Sequence, residues 1–138
     1  MLIDAKNRLV SAHPDLAKVV RRAAELTTVP FRVGETLRTR ERQMQLVATG
    51  SSTTMNSRHL AHKLDGKSRA VDLVAYPDLD KDGVIDENEL SWIWAYYAAI
   101  AKAMKQAAAE LKIPLEWGGD WKTFKDGPHF QLPWKEYP

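Results

Sequence analysis

The residues best suited to chemistry in this chain are its histidines and aspartates, because the sequence contains no cysteine. A protein-bound metal ion must therefore be held by imidazole and carboxylate groups. Two histidines stand in distinctive surroundings: His59 in NSRHL, which precedes the apolar run AVDLVAY with Asp72 inside it, and His129 in DGPHF, three residues after Asp126. The other two histidines are His13 and His62. We expect His13 to be structural, whereas His62 stays an alternative to His59 because three residues on a helical turn bring two side chains to one face.

A second cluster of carboxylates has the spacing of an EF-hand calcium loop. In the segment 78–89, DLDKDGVIDENE, acidic residues fall at loop positions 1, 3, 5, 9 and 12 and glycine at position 6, where the loop must turn sharply. The predicted calcium ligands are Asp78, Asp80, Asp82, the Val84 carbonyl, Asp86 and Glu89. A strand is predicted before this loop, so we interpret it as an isolated EF-hand-like insertion of the form strand–loop–helix.

These clusters must be positioned by helices and strands that the apolar pattern predicts. Helical spacing and stop signals predict helices at Pro14–Leu26, at Arg40–Ala48 (ending at Gly50) and at about Glu87–Lys112. Strands are predicted at Pro30–Leu37, Ala70–Tyr76, Leu115–Trp117 and His129–Leu132, with polar loops at Ser51–Asn56 and Pro77–Asp86. Helices and strands mixed without regular βαβ alternation indicate one compact α+β domain over residues 1–138.

Three short motifs resemble a known family of zinc peptidases. Ser57-x-His59, Ala70-x-Asp72 and Asp126-x-x-His129 are similar to the motifs of D-alanyl-D-alanine carboxypeptidases, D-alanyl-D-alanine dipeptidases and phage L-alanyl-D-glutamate endolysins. The similarity extends to Phe31–Arg42, and in the C-terminal part to Trp117–Trp121 and Phe124–Leu132. The resemblance implies a hedgehog/D,D-peptidase-like fold, in which a small antiparallel sheet has flanking helices.

The resemblance also assigns roles to individual residues. It implies that His59, Asp72 and His129 bind zinc, that Asp126 is the general base, and that Arg38 holds substrate or the developing oxyanion, with Ser57 beside the substrate. Two imidazoles and one carboxylate leave a coordination position open for water, as catalytic zinc sites require. A carboxylate near that water can accept its proton and return it to the leaving amine.

The chain departs from the family pattern between the first two motifs. His59 and Asp72 are separated by about six residues more than usual, and Ser68 stands where the family has glycine. We expect the additional residues to form a loop at the mouth of the site.

Composition and charge limit the partners. The net charge is +2, but six of the 18 acidic residues lie within 78–89, which leaves 19 basic and 12 acidic residues elsewhere. Such a basic body suits a polyanionic partner such as a cell wall, and the absence of an aromatic-plus-basic stripe argues against nucleic acid. No apolar run is long enough for a membrane span, and the charged N-terminus is unlike a signal peptide.

The resemblance, together with the predicted calcium loop, implies a calcium-regulated zinc endopeptidase that cuts the L-Ala–D-Glu bond of the peptidoglycan stem peptide. The resemblance implies a monomeric phage endolysin that is made in the host cytoplasm and released by a holin to reach the periplasmic wall. The alternatives are a D-alanyl-D-alanine carboxypeptidase and a non-catalytic calcium-binding module on the same fold.

Overall fold

The computed structural model describes residues 3–79, 81, 83 and 89–138. Within these residues the α-helices are α1 (Pro14–Leu26), α2 (Arg40–Ala48) and α3 (Trp94–Leu111). The strands are β1 (Phe31–Glu35), β2 (Ala70–Ala75), β3 (Glu116–Trp117) and β4 (His129–Gln131), and short 3₁₀ helices span Arg8–Ser11 and Gly118–Asp120. The predicted α+β class is confirmed, and the predicted bounds of α1 and α2 agree with the structure.

The four strands form one antiparallel sheet in the order β1-β2-β4-β3. Successive side chains of a strand point to opposite faces of a sheet. One face carries the apolar residues of the strands and packs with α1 and α3 into the core: Phe31, Val33, Val71, Leu73, Ala75, Trp117 and Phe130. The other face carries a polar row at the neighbouring positions of the four strands: Glu35, Asp72, His129, Gln131 and Glu116. One face of the sheet therefore belongs to the apolar core, and the opposite face carries the polar row.

A β-bulge at Gly34 completes this polar row. Val33 pairs with Leu73, and Glu35 pairs with the next residue of β2, Asp72. Gly34 is therefore an additional residue in β1. Without the bulge, Glu35 would share the core-facing side of Val33; with it, Glu35 lies beside Asp72. A side chain at Gly34 would approach Val74 to 3.0 Å, so glycine suits this crowded position.

The start of α3 differs from the prediction. The helix was predicted from Glu87, but among the described residues it begins at Trp94. Ser91 lies beside β2, where its N–H donates to the Ala75 carbonyl (3.0 Å) and its own carbonyl accepts from the Tyr97 hydroxyl (2.7 Å). These backbone groups are used in contacts with the sheet and with Tyr97, so the helix begins only after Ile93.

The ends of the strands also differ slightly from the predictions, and β1, β2, β3 and β4 are each shorter by one to three residues. No helix in the described ranges is long and apolar enough to cross a membrane.

The buried Tyr97 hydroxyl gives a test of how α3 is fixed to the sheet. It donates to Ser91 O and accepts from Ala75 N (3.2 Å), so Tyr97→Phe leaves both groups without this partner. We expect a loss of about 1–3 kcal/mol in the free energy of unfolding, measured by urea denaturation. The matched control is Tyr96→Phe on the same helix, where the side chain is only partly buried. Equal stability of the two variants would contradict this account.

Candidate metal centre

His59, Asp72 and His129 bring three potential ligand atoms together on the polar face of the sheet. Asp72 Oδ1 lies 3.2 Å from His59 Nε2 and 3.5 Å from His129 Nδ1. Among the described residues, these three form the group of histidine and carboxylate side chains whose geometry suits a metal ion, with all ligand atoms within 4.8 Å of one another. The histidines are almost fully buried, and Asp72 is partly exposed.

The spacing of these atoms fits zinc. Ligands bound at about 2.05 Å to a tetrahedral ion lie about 3.3 Å apart, close to the two distances from Asp72. Two neutral imidazoles and one carboxylate also supply the three protein ligands of a catalytic zinc site, with a fourth position left for water.

His59 is held in place by the chain that follows β1. Its Nδ1–H donates to the Thr36 carbonyl (2.7 Å), which leaves the Nε2 lone pair directed at Asp72. Its backbone carbonyl accepts from Arg38 N (2.8 Å), and its N–H donates to Ser57 Oγ (3.1 Å). The buried Thr36 thus fixes the tautomer, as the outer partners of metal-bound histidines commonly do.

His129 is oriented the other way round. Its Nε2–H donates to Gln131 Oε1 (2.7 Å), so Nδ1 carries the lone pair that faces Asp72. The Gln131 amide in turn donates to Glu116 Oε2 (2.9 Å). The two histidines therefore offer different ring nitrogens to one point.

The charge of Asp72 controls the electrostatics of the metal-free centre. Burial opposes ionisation of Asp72. Electrostatic attraction to the His59 ring and a hydrogen bond from His129, whose Nδ1 can carry a second proton when no metal is bound, outweigh the effect of burial, so the pKa of Asp72 lies well below its ordinary value. Burial also opposes the charging of His129, yet the Asp72 carboxylate raises the pKa of His129 above its usual value. Protons therefore compete with a metal for this site, and metal affinity should fall as the pH falls.

Arg38 adds a positive charge behind Asp72. Its Nη2 lies 3.7 Å from Asp72 Oδ2, while Nε and Nη2 donate to the two Glu35 oxygens at 2.8 and 2.9 Å. Burial tends to raise the pKa of Glu35, but the Arg38 hydrogen bonds and charge lower it overall. Nη1 donates to Gln43 (2.8 Å), so each guanidinium nitrogen of Arg38 has a protein partner.

Asp126 lies at the same cavity, on the turn before β4. Burial, followed by the negative charge of Asp72, raises the pKa of Asp126 above its ordinary value. The turn is held close to the 3₁₀ helix, since Asp126 N donates to Gly118 O (3.1 Å) and a side chain at Gly118 would stand 2.4 Å from Asp126 O. Glycine at 118 is therefore needed to place this carboxylate.

All the residues of the centre open onto a cavity of about 550 Å³. One wall is a run of hydroxyl and amide side chains in 51–57, and three aromatic side chains also line the cavity: Trp121, Phe124 and Trp134. The hydroxyl and amide groups of this wall can hydrogen-bond a peptide backbone.

His13, His62 and the longer loop after His59 all lie outside the metal centre. His13 is structural, since its Nδ1 accepts from Asp15 N at the start of α1 (3.0 Å). His62 does not join the centre; its Nε2 lies 2.8 Å from the Pro138 carbonyl. The loop between His59 and Asp72 was expected at the mouth of the site, but residues 61–68 do not line the cavity and Ser68 instead pairs with Ser11 and His13.

The predicted calcium loop is only partly described. Asp80, Asp82, Val84 and Asp86 lie outside the described residues. At the two ends of the loop, Asp78 Oδ2 accepts from Gly83 N (2.8 Å), and the buried Glu89 accepts from Leu79 N (2.5 Å).

Gly83 has a φ of +81°, as a sharp turn at loop position 6 requires. The exit helix predicted at Glu87 is not present directly after Glu89.

Several supporting residues were not identified from the sequence: Glu35, Thr36, Gln43, Glu116 and Gln131. Gln131 had a usable signal, since it stands two residues after His129 on a predicted strand and so shares its face. The others are brought to the site by strand register or by the turn after β1, which the local sequence does not specify.

The ligand assignment can be tested by metal content. We expect wild-type protein to hold one zinc ion and His129→Ala to lose it, because a lone His59–Asp72 pair leaves two ligands. Atomic emission spectroscopy of dialysed protein measures the stoichiometry, with His62→Ala as the matched control. Retention of zinc by His129→Ala together with its loss from His62→Ala would show that the ligand set is wrong.

Comparison with known proteins shows which family the chain belongs to. The profile of the family described as "Phage L-alanyl-D-glutamate peptidase" matches residues 3–132. The chain is 33% identical to the L-alanyl-D-glutamate peptidase of Escherichia phage T5 over 89% of its own length and 82% of that protein. It is 31% identical to the L-alanyl-D-glutamate peptidase of Listeria phage A118 over 95% of its length, although it spans only 40% of that protein.

A solved structure is also similar. The crystal structure of the Serratia marcescens L-Ala D-Glu endopeptidase ChiX superposes with a TM-score of 0.81 and 46% sequence identity, and the match covers 99% of this chain and 94% of that one. On the evidence of the profile, the relatives and the fold, this chain belongs to the phage L-alanyl-D-glutamate peptidase family.

Proposed function

We propose that the protein is a zinc-dependent endopeptidase that hydrolyses the amide between L-alanine and D-glutamate in the peptidoglycan stem peptide. The observation that carries the proposal is the convergence of His59, Asp72 and His129 with Asp126 at one cavity. The names of the relatives supply the substrate, and the ligand spacing supports the metal.

The residues divide the chemistry between binding and proton transfer. His59, Asp72 and His129 would hold zinc, which would supply the Lewis acidity that makes a water molecule nucleophilic near neutral pH. Asp126 accepts the proton of this water as its oxygen attacks the L-alanyl carbonyl carbon. When the C–N bond breaks, Asp126 returns the proton to the amine of D-glutamate. The raised pKa of the Asp126 carboxyl suits a group that must both take and return a proton.

Arg38 and Ser57 have supporting roles in this proposal. Arg38 lies against Asp72 Oδ2 and lines the cavity, so its charge can stabilise negative charge that develops on the substrate carbonyl. Its pairing with Glu35 fixes the guanidinium in place. Ser57 lines the cavity and holds the His59 turn, so it positions a ligand as well as facing the substrate.

The proposed setting is phage lysis. The chain is made in the host cytoplasm, acts as a monomer and reaches the cell wall after a holin has opened the membrane. The basic excess outside the calcium loop favours contact with the anionic wall.

We further propose that calcium binds the loop 78–89 and regulates the enzyme. The loop begins at Asp78, only six residues after Asp72 in the chain. At its other end, Glu89 lies two residues before Ser91, which pairs with Ala75 of β2. The first and last acidic positions therefore adjoin the strand that carries a zinc ligand. Bound calcium would neutralise the carboxylates and thereby stabilise the loop and β2. The enzyme would therefore have low activity in a low-calcium cytoplasm and high activity in the periplasm.

The substrate assignment is tested by digesting purified peptidoglycan and identifying the products by mass spectrometry. We expect stem peptides that begin with D-glutamate, and glycan fragments that end in L-alanine. Release of single terminal D-alanine residues would indicate a carboxypeptidase instead. The control is Asp126→Asn, which should keep its zinc but lose at least about 10²–10⁴-fold in rate; an active, zinc-loaded Asp126→Asn enzyme would remove the proposed base.

The calcium proposal is tested by titrating Ca²⁺ into zinc-loaded protein while following melting temperature and cleavage together. At about 100-fold excess over the dissociation constant, calcium should stabilise the fold by about 2.7 kcal/mol and raise activity. The Asp80→Ala/Asp82→Ala variant should show neither response. A rise in melting temperature alone would leave a structural calcium site and eliminate regulation, and no response in the wild type would eliminate the site.

A further inference from the structure

A chain of three side chains runs from the metal centre to the edge strand of the sheet. His129 and Gln131 lie on the same face of β4, and Glu116 lies opposite Gln131 on β3. His129 Nε2 is 2.7 Å from Gln131 Oε1, and Gln131 Nε2 is 2.9 Å from Glu116 Oε2. His129 and Gln131 are each 6% exposed, so these bonds form largely out of solvent.

The Glu116 carboxylate determines which group donates and which accepts in each of these hydrogen bonds. An ionised carboxylate can only accept hydrogen bonds, so Glu116 requires the NH₂ group of the Gln131 amide. The amide oxygen must then face His129. Because that oxygen can only accept, the neutral ring of His129, which is the form that binds a metal, must carry its proton on Nε2. Its Nδ1 then offers the lone pair on the side of Asp72.

The partner of His59 needs no such arrangement. A backbone carbonyl, that of Thr36, accepts from His59 Nδ1 and cannot reverse its polarity. A glutamine amide can rotate by half a turn and offer either group, so Gln131 alone does not determine the tautomer of His129.

We propose that Glu116 is a positioning residue that sets the metal-binding tautomer of His129 through the orientation of the Gln131 amide. Glu116 touches neither Asp72 nor the histidines and lies in a different strand from every zinc ligand. Its role depends on the zinc site of the proposed function. Removing an outer partner of a metal ligand commonly weakens metal binding about 10–100-fold.

The test uses Glu116→Gln and a compensating double variant. In Glu116→Gln the residue at 116 can accept or donate, so the Gln131 amide is free to turn its NH₂ group towards His129 and favour a proton on Nδ1. In Glu116→Gln/Gln131→Glu the carboxylate stands at 131, where it accepts both from His129 Nε2 and from the new amide at 116. The double variant therefore restores the tautomer, and it has the same net charge as the wild type.

Three measurements apply to the wild type, the single variant and the double variant. Nitrogen-15 NMR of the imidazole in the zinc-loaded protein reports which nitrogen of His129 is protonated. Competition with a chelator reports the zinc dissociation constant, and thermal unfolding checks that each variant is folded. Asp120→Asn, which removes an exposed carboxylate next to β3, is the charge control.

We expect an Nε2–H tautomer in the wild type and the double variant, and a shift towards Nδ1–H with about 10–100-fold weaker zinc binding in Glu116→Gln. The proposal is overturned if Glu116→Gln keeps the wild-type tautomer and affinity, or if the double variant binds zinc as weakly as the single one. Failure of the wild type itself to bind zinc would instead contradict the proposed function.

Discussion

The structure depends on keeping one carboxylate ionised on the partly buried face of a thin sheet. Asp72 stands in the second strand, with His129 opposite it on one side and Glu35 on the other. Burying a charge is costly unless opposite charges and hydrogen bonds compensate for it. His59, His129 and Arg38 provide that compensation here, and the low pKa of Asp72 is its consequence. A metal ion bound between these side chains would supply the positive charge in place of the protons.

The surrounding elements position the residues that lie around the Asp72 carboxylate. The bulge at Gly34 turns Glu35 to the polar face, where it fixes Arg38 behind Asp72. The chain after β1 returns alongside Leu60, so that Thr36 can orient His59. On the opposite side, Gly118 lets the turn before β4 approach closely enough for Asp126 to reach the cavity. The helices α1 and α3 contribute indirectly, by filling the other face and keeping the strands in register.

The residues whose role depends on local pattern could be predicted from the sequence, and those whose role depends on register could not. His59, Asp72, His129 and Asp126 were singled out by short motifs, and the structure brings them together. Glu116 comes to Gln131 only through strand pairing, which depends on the turn at 118–128 rather than on its own neighbours.

The late start of α3 was missed for a related reason. The contacts of Ser91 with Ala75 and Tyr97 hold it out of the helix, and these contacts depend on how the chain packs rather than on the local sequence. The longer loop after His59 was misplaced because residue spacing gives its length and not its direction. The calcium loop stays a prediction for the positions outside the described residues.

The central claim is that this sheet presents a prepared zinc site with a defined nitrogen from each histidine. A crystal structure of the zinc-loaded protein, with anomalous data collected on both sides of the zinc absorption edge, tests it most directly. The account predicts one anomalous peak, bound by His59 Nε2, an Asp72 oxygen and His129 Nδ1, with Asp126 beside the open position. A peak at His62, or a zinc ion bound through His129 Nε2, would contradict it.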